Sequence, residues 1–424
     1  MPLRLLAFLL LLAAAASPAG AQDVPDCTVD VEVSPALVLD VRQRCGIGEP
    51  QRYRVDLPDL PPSRELILRG HSVLATLGSW LRAPEGYAAP PTIDIRVKTP
   101  TGMAFAAGLP RVGDASRLAG TGMRFAGYTA IGRFDLSELP TDRGVLHLAI
   151  LDGMPERARA ALVDWVRRTA EAQVNWWRGF TAPSMLIGLV PSATRRAVGY
   201  GRTVPGGGAT IMVEVGREVD PRRLFDDWVL THELVHTGMP FIRGRATWFM
   251  EGAATYIEPI VRARAGWKTE EEVWREWMEH MPRGVSAFAS GLQHASGQQN
   301  YWGGAIFMLM ADLALRRETG GRLGLEDCLV GALRAGLTAD RRTGLEDYAE
   351  ACEGATGTVG LRHLLDRHVA RGTPVDLDAL WRELGVALHG ERVAFDETAP
   401  LAALRRQIVF GTRPNLRIRL PWET

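Results

Sequence analysis

Lysine is almost missing from this chain. Of 424 residues only Lys98 and Lys268 carry an ammonium group; every other basic residue but histidine is arginine. The arginines are scattered along the sequence, so the bias reads as genomic. Net charge is missing as well: Lys and Arg number 49, and so do Asp and Glu. A polyanion partner normally leaves a basic excess, so nucleic-acid binding is not expected. Cysteine is scarce, with four residues and no C-x-x-C pair, which argues against redox-motif and zinc-ribbon chemistry. The four fall as local pairs, Cys27 with Cys45 and Cys328 with Cys352, and are expected as two structural disulfides. Free buried thiols are the alternative. No internal repeat or low-complexity linker occurs. Beyond the N-terminus no run is long and apolar enough for a transmembrane helix.

What is present begins with a targeting signal. Arg4 precedes an apolar run, Leu5 to Ala16, too short to span a bilayer comfortably, and Ala19-Gly20-Ala21 is a small-x-small cleavage site. Residues 1–21 are expected as a signal peptide with Gln22 as the new N-terminus. No cysteine stands at the cleavage point, so a lipid anchor is not expected. An exported, periplasmic or secreted protein follows, which suits disulfides.

The remainder reads as α+β. Residues 22–143 are β-rich, with strict alternation in Thr28–Val33 and Thr92–Val97. Residues 144–265 mix strands (146–150, 184–190, 209–215) with a helical pattern over 155–177. Residues 266–390 are mostly helical. A capping box, Thr269 with Glu272, opens one helix, and Tyr301–Arg316 is a long apolar one. Shorter helical patterns fall near 325–335, 344–352, 359–370 and 376–384. The stretch 391–424 has no clear pattern.

The chemistry is concentrated in Thr231-His232-Glu233-Leu234-Val235-His236, an H-E-x-x-H motif. Asp220 and Pro221 signal a helix start, Leu224, Phe225 and Trp228 its buried side, and Gly238 and Pro240 its end. Histidines at i and i+4 share one helical face and can reach one zinc ion. Glu233 between them can act as general base on a water activated there. A catalytic zinc needs a third protein ligand, and Glu251 is the candidate, in the first turn of a helix that Thr247 can cap. Thr255, one turn further, can serve as a hydrogen-bonding neighbour of a ligand.

H-E-x-x-H followed by Trp248-x-x-Glu251-Gly252 resembles the gluzincin metallopeptidases, the clan of thermolysin and aminopeptidase N. The segments 366–373 and 380–386 are similar to the glycyl-aminopeptidase-like branch, without its PDZ domain. The resemblance implies a thermolysin-like catalytic domain and one zinc ion held by His232, His236 and Glu251, with Glu233 as base. Tyr301, in Tyr301-x-Gly303-Gly304-Ala305, would stabilise the oxyanion. It further implies an edge strand at Ala209–Val215 onto which a peptide pairs, using Gly207, Gly208 and Ala209. The clan's amine-binding glutamate has no counterpart in 206–212, so amino- and endopeptidase modes both stay open. The expected function is an exported zinc metallopeptidase acting on peptide or protein substrates. The alternative is an exported zinc- and peptide-binding protein with lost or altered hydrolysis. Oligomeric state is unknown from sequence.

Overall fold

The computed structural model describes residues 25–423, except 48, 87–90, 120–125 and 206–207. The expected signal segment, 1–21, lies outside the described residues, and so does Gly207.

The alternating segments form strands, because a period of two puts every second side chain on one face. β1 (Cys27–Val33) buries Val29, Val31 and Val33 in this way. It pairs antiparallel with β2 (Val38–Cys45), and that strand with β3 (Gln51–Asp56). Cys27 stands directly opposite Cys45, and a disulfide joins them. Next come β4 (Leu66–Arg69), β5 (Ser72–Thr76), β6 (Ile93–Lys98), β7 (Ala104–Ala107), β8 (Arg111–Val112), β9 (Ala115–Leu118) and β10 (Tyr128–Gly132). They complete a six-stranded sheet, β3-β2-β1-β6-β9-β8, and a four-stranded one, β4-β5-β10-β7. A core containing Val29, Leu39, Val73 and Ile95 lies between them.

A third sheet follows, built from β11 (Asp135–Pro140), β12 (Val145–Ile150), β13 (Ser184–Ser192), β14 (Val198–Pro205) and β15 (Ala209–Gly216). Its order is β11-β12-β13-β15-β14. The three central strands are parallel and the two outer ones antiparallel to them. Sheet membership thus changes between Gly132 and Asp135, within the segment that sequence alone assigns to the β-rich module. One face of this sheet packs on Ile67, Leu74 and Ala130 of the four-stranded sheet. The other takes Leu162, Trp165 and Val166 of α1 (Glu156–Trp177).

The edge position expected for Ala209–Val215 is corrected here. β15 lies between β13 and β14, and the edge of the sheet is β14. β14 escapes detection because it reads Val-Gly-Tyr-Gly-Arg-Thr-Val-Pro, without an apolar run, and its glycines mimic a loop.

The single helix expected from Asp220 to Gly238 is two helices, α2 (Pro221–Asp226) and α3 (Val229–His236). The Asp227 carboxylate accepts the Val229 N–H at 2.8 Å and starts the second one afresh. Trp228, expected on the buried side, sits at this break and is 48% exposed. α4 (Thr247–Ala265) and α5 (Glu270–His280) follow, α5 opened by the Thr269–Glu272 capping box. After the short α6 (Ala287–Ser290) come α7 (Gly304–Glu318), α8 (Leu325–Arg334), α9 (Leu345–Thr356), α10 (Gly360–His368) and α11 (Leu377–Leu384). The Cys328–Cys352 disulfide ties α8 to α9. The unassigned C-terminal stretch contains a strand, Arg392–Phe395, and α12 (Ala402–Phe410). It folds back on the end of α4, where the Trp267 indole N–H donates to the Ile418 carbonyl at 2.8 Å. No helix among the described residues is long and apolar enough to cross a membrane.

Candidate active site

α3 is anchored before it presents anything. Leu230, Leu234 and Val235 are buried, and the Gln173 side-chain amide of α1 donates to the Thr231 carbonyl at 3.0 Å. This leaves His232 and His236, one turn apart, on the opposite face toward α4. Their rings are 5.0 Å apart and nearly perpendicular. Glu251 comes up from α4, which begins at Thr247 with Ala246, not Thr247, in the capping position. Its Oε2 lies 3.2 Å from His232 Nε2 and 3.6 Å from His236 Nε2. Among the described residues these three form the metal-capable cluster, with donor atoms all within 4.8 Å of one another.

The donor set fits zinc. Two ligands at about 2.0–2.1 Å from a tetrahedral ion stand about 3.4 Å apart, close to the two separations found. Two imidazoles and a carboxylate are also a donor set that catalytic zinc sites use. Burial works against the Glu251 carboxylate, but the two imidazoles outweigh it and hold it well below the usual carboxylate range. Burial likewise disfavours a charged His236, yet Glu251 and then Glu233 raise it above the ordinary imidazole value. Convergence of opposite charge therefore exceeds the desolvation cost at both groups.

Two close backbone approaches shape the surroundings. A Cβ on Gly252 would stand 2.3 Å from the Gly304 Cα, so α4 and α7 touch here backbone to backbone. That contact carries the wide, π-type turn Gln299–Gly303 ahead of α7, on which Tyr301 sits. Tyr301 therefore lies in a widened turn before the helix proper. Its ring stacks over His232 at 6.0 Å. Burial first, then Glu251 and Glu233, push its phenol up to about 12, so it keeps its proton at neutral pH.

The second approach is at Gly201 on β14. A Cβ there would meet Val229 Cγ1 at 2.5 Å and Glu233 Cγ at 2.7 Å. Glycine thus lets the edge strand lie directly on α3. One result is a contact that sequence reasoning missed: Thr203 Oγ1 stands 2.7 Å from Glu233 Oε2 and 2.9 Å from the Glu233 carbonyl. Gly199 and Gly201, alternating ahead of the 206–208 triple glycine, were the available signal. Trp228 is the other missed residue, its indole edge-on to His232 at 5.1 Å.

Together these groups line a cleft of about 440 Å³, to which Gly199–Thr203, Met239, Phe241 and Met250 also contribute. His232, Glu233, His236, Glu251 and Tyr301 all face it. Gly208 and Ala209 do not line it; Ala209 is buried inside the sheet. Thr255 is buried and its hydroxyl has no protein partner among the described residues. It faces a neighbouring polar cavity shared with His232 and Tyr301.

No protein-family model matches the chain, and no curated protein sequence does. Solved structures do. An aminopeptidase N family protein from Idiomarina loihiensis aligns with a TM-score of 0.63 at 14% identity, over 85% of this chain and 78% of that one. A mutant of an M1 zinc metallopeptidase from Deinococcus radiodurans aligns with a TM-score of 0.50 at 14% identity, over 83% of this chain and 95% of the other. The chain has the α+β fold of the aminopeptidase N-like zinc metallopeptidases, the gluzincin fold its motifs resemble. At such low identity the likeness is one of fold, and what the chain does rests on its own residues.

Proposed function

We propose that this protein is an exported zinc-dependent metallopeptidase. The observation that carries the reading is the convergence of His232, His236 and Glu251 at the floor of a cleft that Glu233 and Tyr301 also face. Export is supported by two disulfides and by the signal-like N-terminal sequence.

His232, His236 and Glu251 hold the metal. Zinc, when bound, supplies Lewis-acid chemistry, acidifying water and polarising a carbonyl. Glu233 takes the proton of the attacking water and later returns it to the leaving amine. Thr203 keeps the Glu233 carboxylate turned into the cleft through its hydroxyl. Tyr301, protonated at neutral pH, donates a hydrogen bond to the charge developing on the carbonyl oxygen. The substrate backbone adds to the free edge of β14.

Among the described residues lining the cleft, Glu233 and Glu251 are the carboxylates, and both have roles. The adjoining cavity that shares His232 and Tyr301 adds Asp226, Glu258, Glu272 and Glu276. Acidic groups for a free substrate amine thus stand next to the metal-capable cluster, and charge does not select internal over N-terminal cleavage.

Glu233→Gln provides the test. The variant should bind one zinc per chain by elemental analysis and keep its peptide affinity, while peptide hydrolysis falls below detection. A Glu233→Gln protein as active as the parent, or parent activity that survives zinc chelation, would overturn the reading.

A further inference from the structure

A second hollow lies near one end of the strand that borders the cleft. Val198, at the start of β14, lies three residues from Gly201, which is about 10 Å along an extended strand. There the loop 193–197 entering β14 and the segment 217–220 leaving β15 enclose the hollow, of about 390 Å³. Arg195, Arg196, Arg217 and Arg223 line it. In a chain whose arginines are otherwise spread out, these four converge from three separate segments: the loop, the exit of β15 and α2. All four are exposed. The two acids beside them are engaged elsewhere. Glu218 pairs with Arg157, and the Asp220 carboxylate accepts the Arg222 backbone N–H at 3.0 Å. No carboxylate among the described residues comes within ion-pairing distance of the four guanidinium groups.

This cluster stands at one end of the strand that borders the cleft. β14 is bonded to β15 on one side only, so its other edge is open to an extended chain. A peptide lying there with its scissile bond beside Glu233 carries residues three to five positions away, about 10–17 Å, to the arginines. Guanidinium forks match carboxylates in geometry and are weakly hydrated, which favours Asp and Glu side chains. We propose that Arg195, Arg196, Arg217 and Arg223 form an exosite for acidic residues of the substrate, three to five positions from the cut and on one side of it. The proposal rests on the peptidase reading of the cleft. Exposed ion pairs are weak singly, so the effect comes from several acting together and is screened by salt.

Two measurements test it. In the first, cleavage sites are mapped in a peptide library for the parent and for the combined Arg195→Ser, Arg196→Ser, Arg217→Ser, Arg223→Ser variant. Parent cuts should be enriched for Asp or Glu at one position three to five residues away. In the variant that enrichment disappears and KM for an acidic peptide rises about 10-fold, mostly at low salt. Its kcat, and both constants for a neutral peptide, stay unchanged, which also shows that the variant folds. Parent cuts without acidic enrichment, or equal KM values, overturn the exosite. In the second, a fluorescent acidic peptide is titrated into Glu233→Gln protein with and without the four substitutions. Arginine-dependent binding here, together with a zinc-loaded parent that cleaves no peptide of the library, sinks the peptidase reading and leaves the acidic-segment site standing; binding that ignores the arginines overturns the exosite. Arginine-dependent attachment to phosphatidylglycerol vesicles that the peptide does not displace assigns the patch to a membrane surface and overturns the proposal.

Discussion

At the scale of the residue, the site separates groups by what each can do at neutral pH. Glu251 is held ionised by two imidazoles, as a metal ligand must be. Tyr301 is held protonated by its burial and by the same pair of carboxylates, as a hydrogen-bond donor must be. A phenol raised to about 12 loses its proton only well above the range where peptide hydrolysis is assayed. Tyr301→Phe should therefore lower kcat about 100-fold with little change in KM, since the donated bond strengthens only as charge develops. The ratio of parent to variant activity should stay flat between about pH 6 and 9, because a raised pKa leaves the phenol fully protonated throughout. A ratio that collapses toward one at the alkaline end would mean that Tyr301 titrates there and is not held protonated.

At the scale of the element, two glycine contacts place side chains that face the cleft, and one can be isolated. Gly252 lies inside α4, where alanine would ordinarily gain about 1 kcal/mol from helix propensity. Its Cβ would stand 2.3 Å from the Gly304 Cα and 2.8 Å from the Gly304 carbonyl oxygen, both backbone atoms that cannot rotate away. Packing wins this comparison, since overpacking costs about 1–3 kcal/mol or more and forces helices apart. Gly252→Ala should lower the urea midpoint and reduce kcat/KM together, because α7 carries the Tyr301 turn away as it moves. A stabilised and fully active Gly252→Ala protein would refute the contact. The same contact separates what was readable in the sequence from what was not. His232 and His236 share one face of α3, because helical periodicity is a local property, whereas Glu251 meets them through the packing of α4 on α3. The capping box at Thr269 and the helices from 325 to 384 were local too. The edge strand was not. Whether β14 or β15 lies outermost depends on a hairpin and on the close approach of Gly201 to α3, a contact between residues far apart in sequence. Trp228 was misplaced for a related reason. Its periodicity assumed one continuous helix, and the Asp227 carboxylate restarts the helix one residue before it counts.

At the scale of the whole molecule, the cleft lies where the sheet region meets the helical region, so its geometry depends on how firmly the two are joined. A buried charge cluster makes one such joint. Glu326 at the start of α8 receives Arg178, which caps the end of α1, at 3.0 Å, and Arg264 of α4 through its other oxygen. Arg178 also reaches Asp327 at 2.6 Å, whereas Arg264 makes no other ion pair among the described residues. Arg264 is 4% exposed and Glu326 7%. Three helices from both regions thus meet on one carboxylate. A pair of this kind adds little net stability over an apolar filling, but removing one partner strands the other charge in a poorly solvated place. Glu326→Ala should cost about 3–5 kcal/mol in chemical unfolding, most of it from the Arg264 guanidinium, which keeps backbone carbonyls of Val409 and Asn175 but no counter-charge. Replacing Arg264 with Met as well should recover part of that loss, since no buried cation then remains. The single substitution lies away from the cleft, so zinc content at low denaturant should stay at one per chain. If Glu326→Ala costs under about 1 kcal/mol, the cluster behaves as a solvated surface pair and the joint must lie elsewhere in the interface.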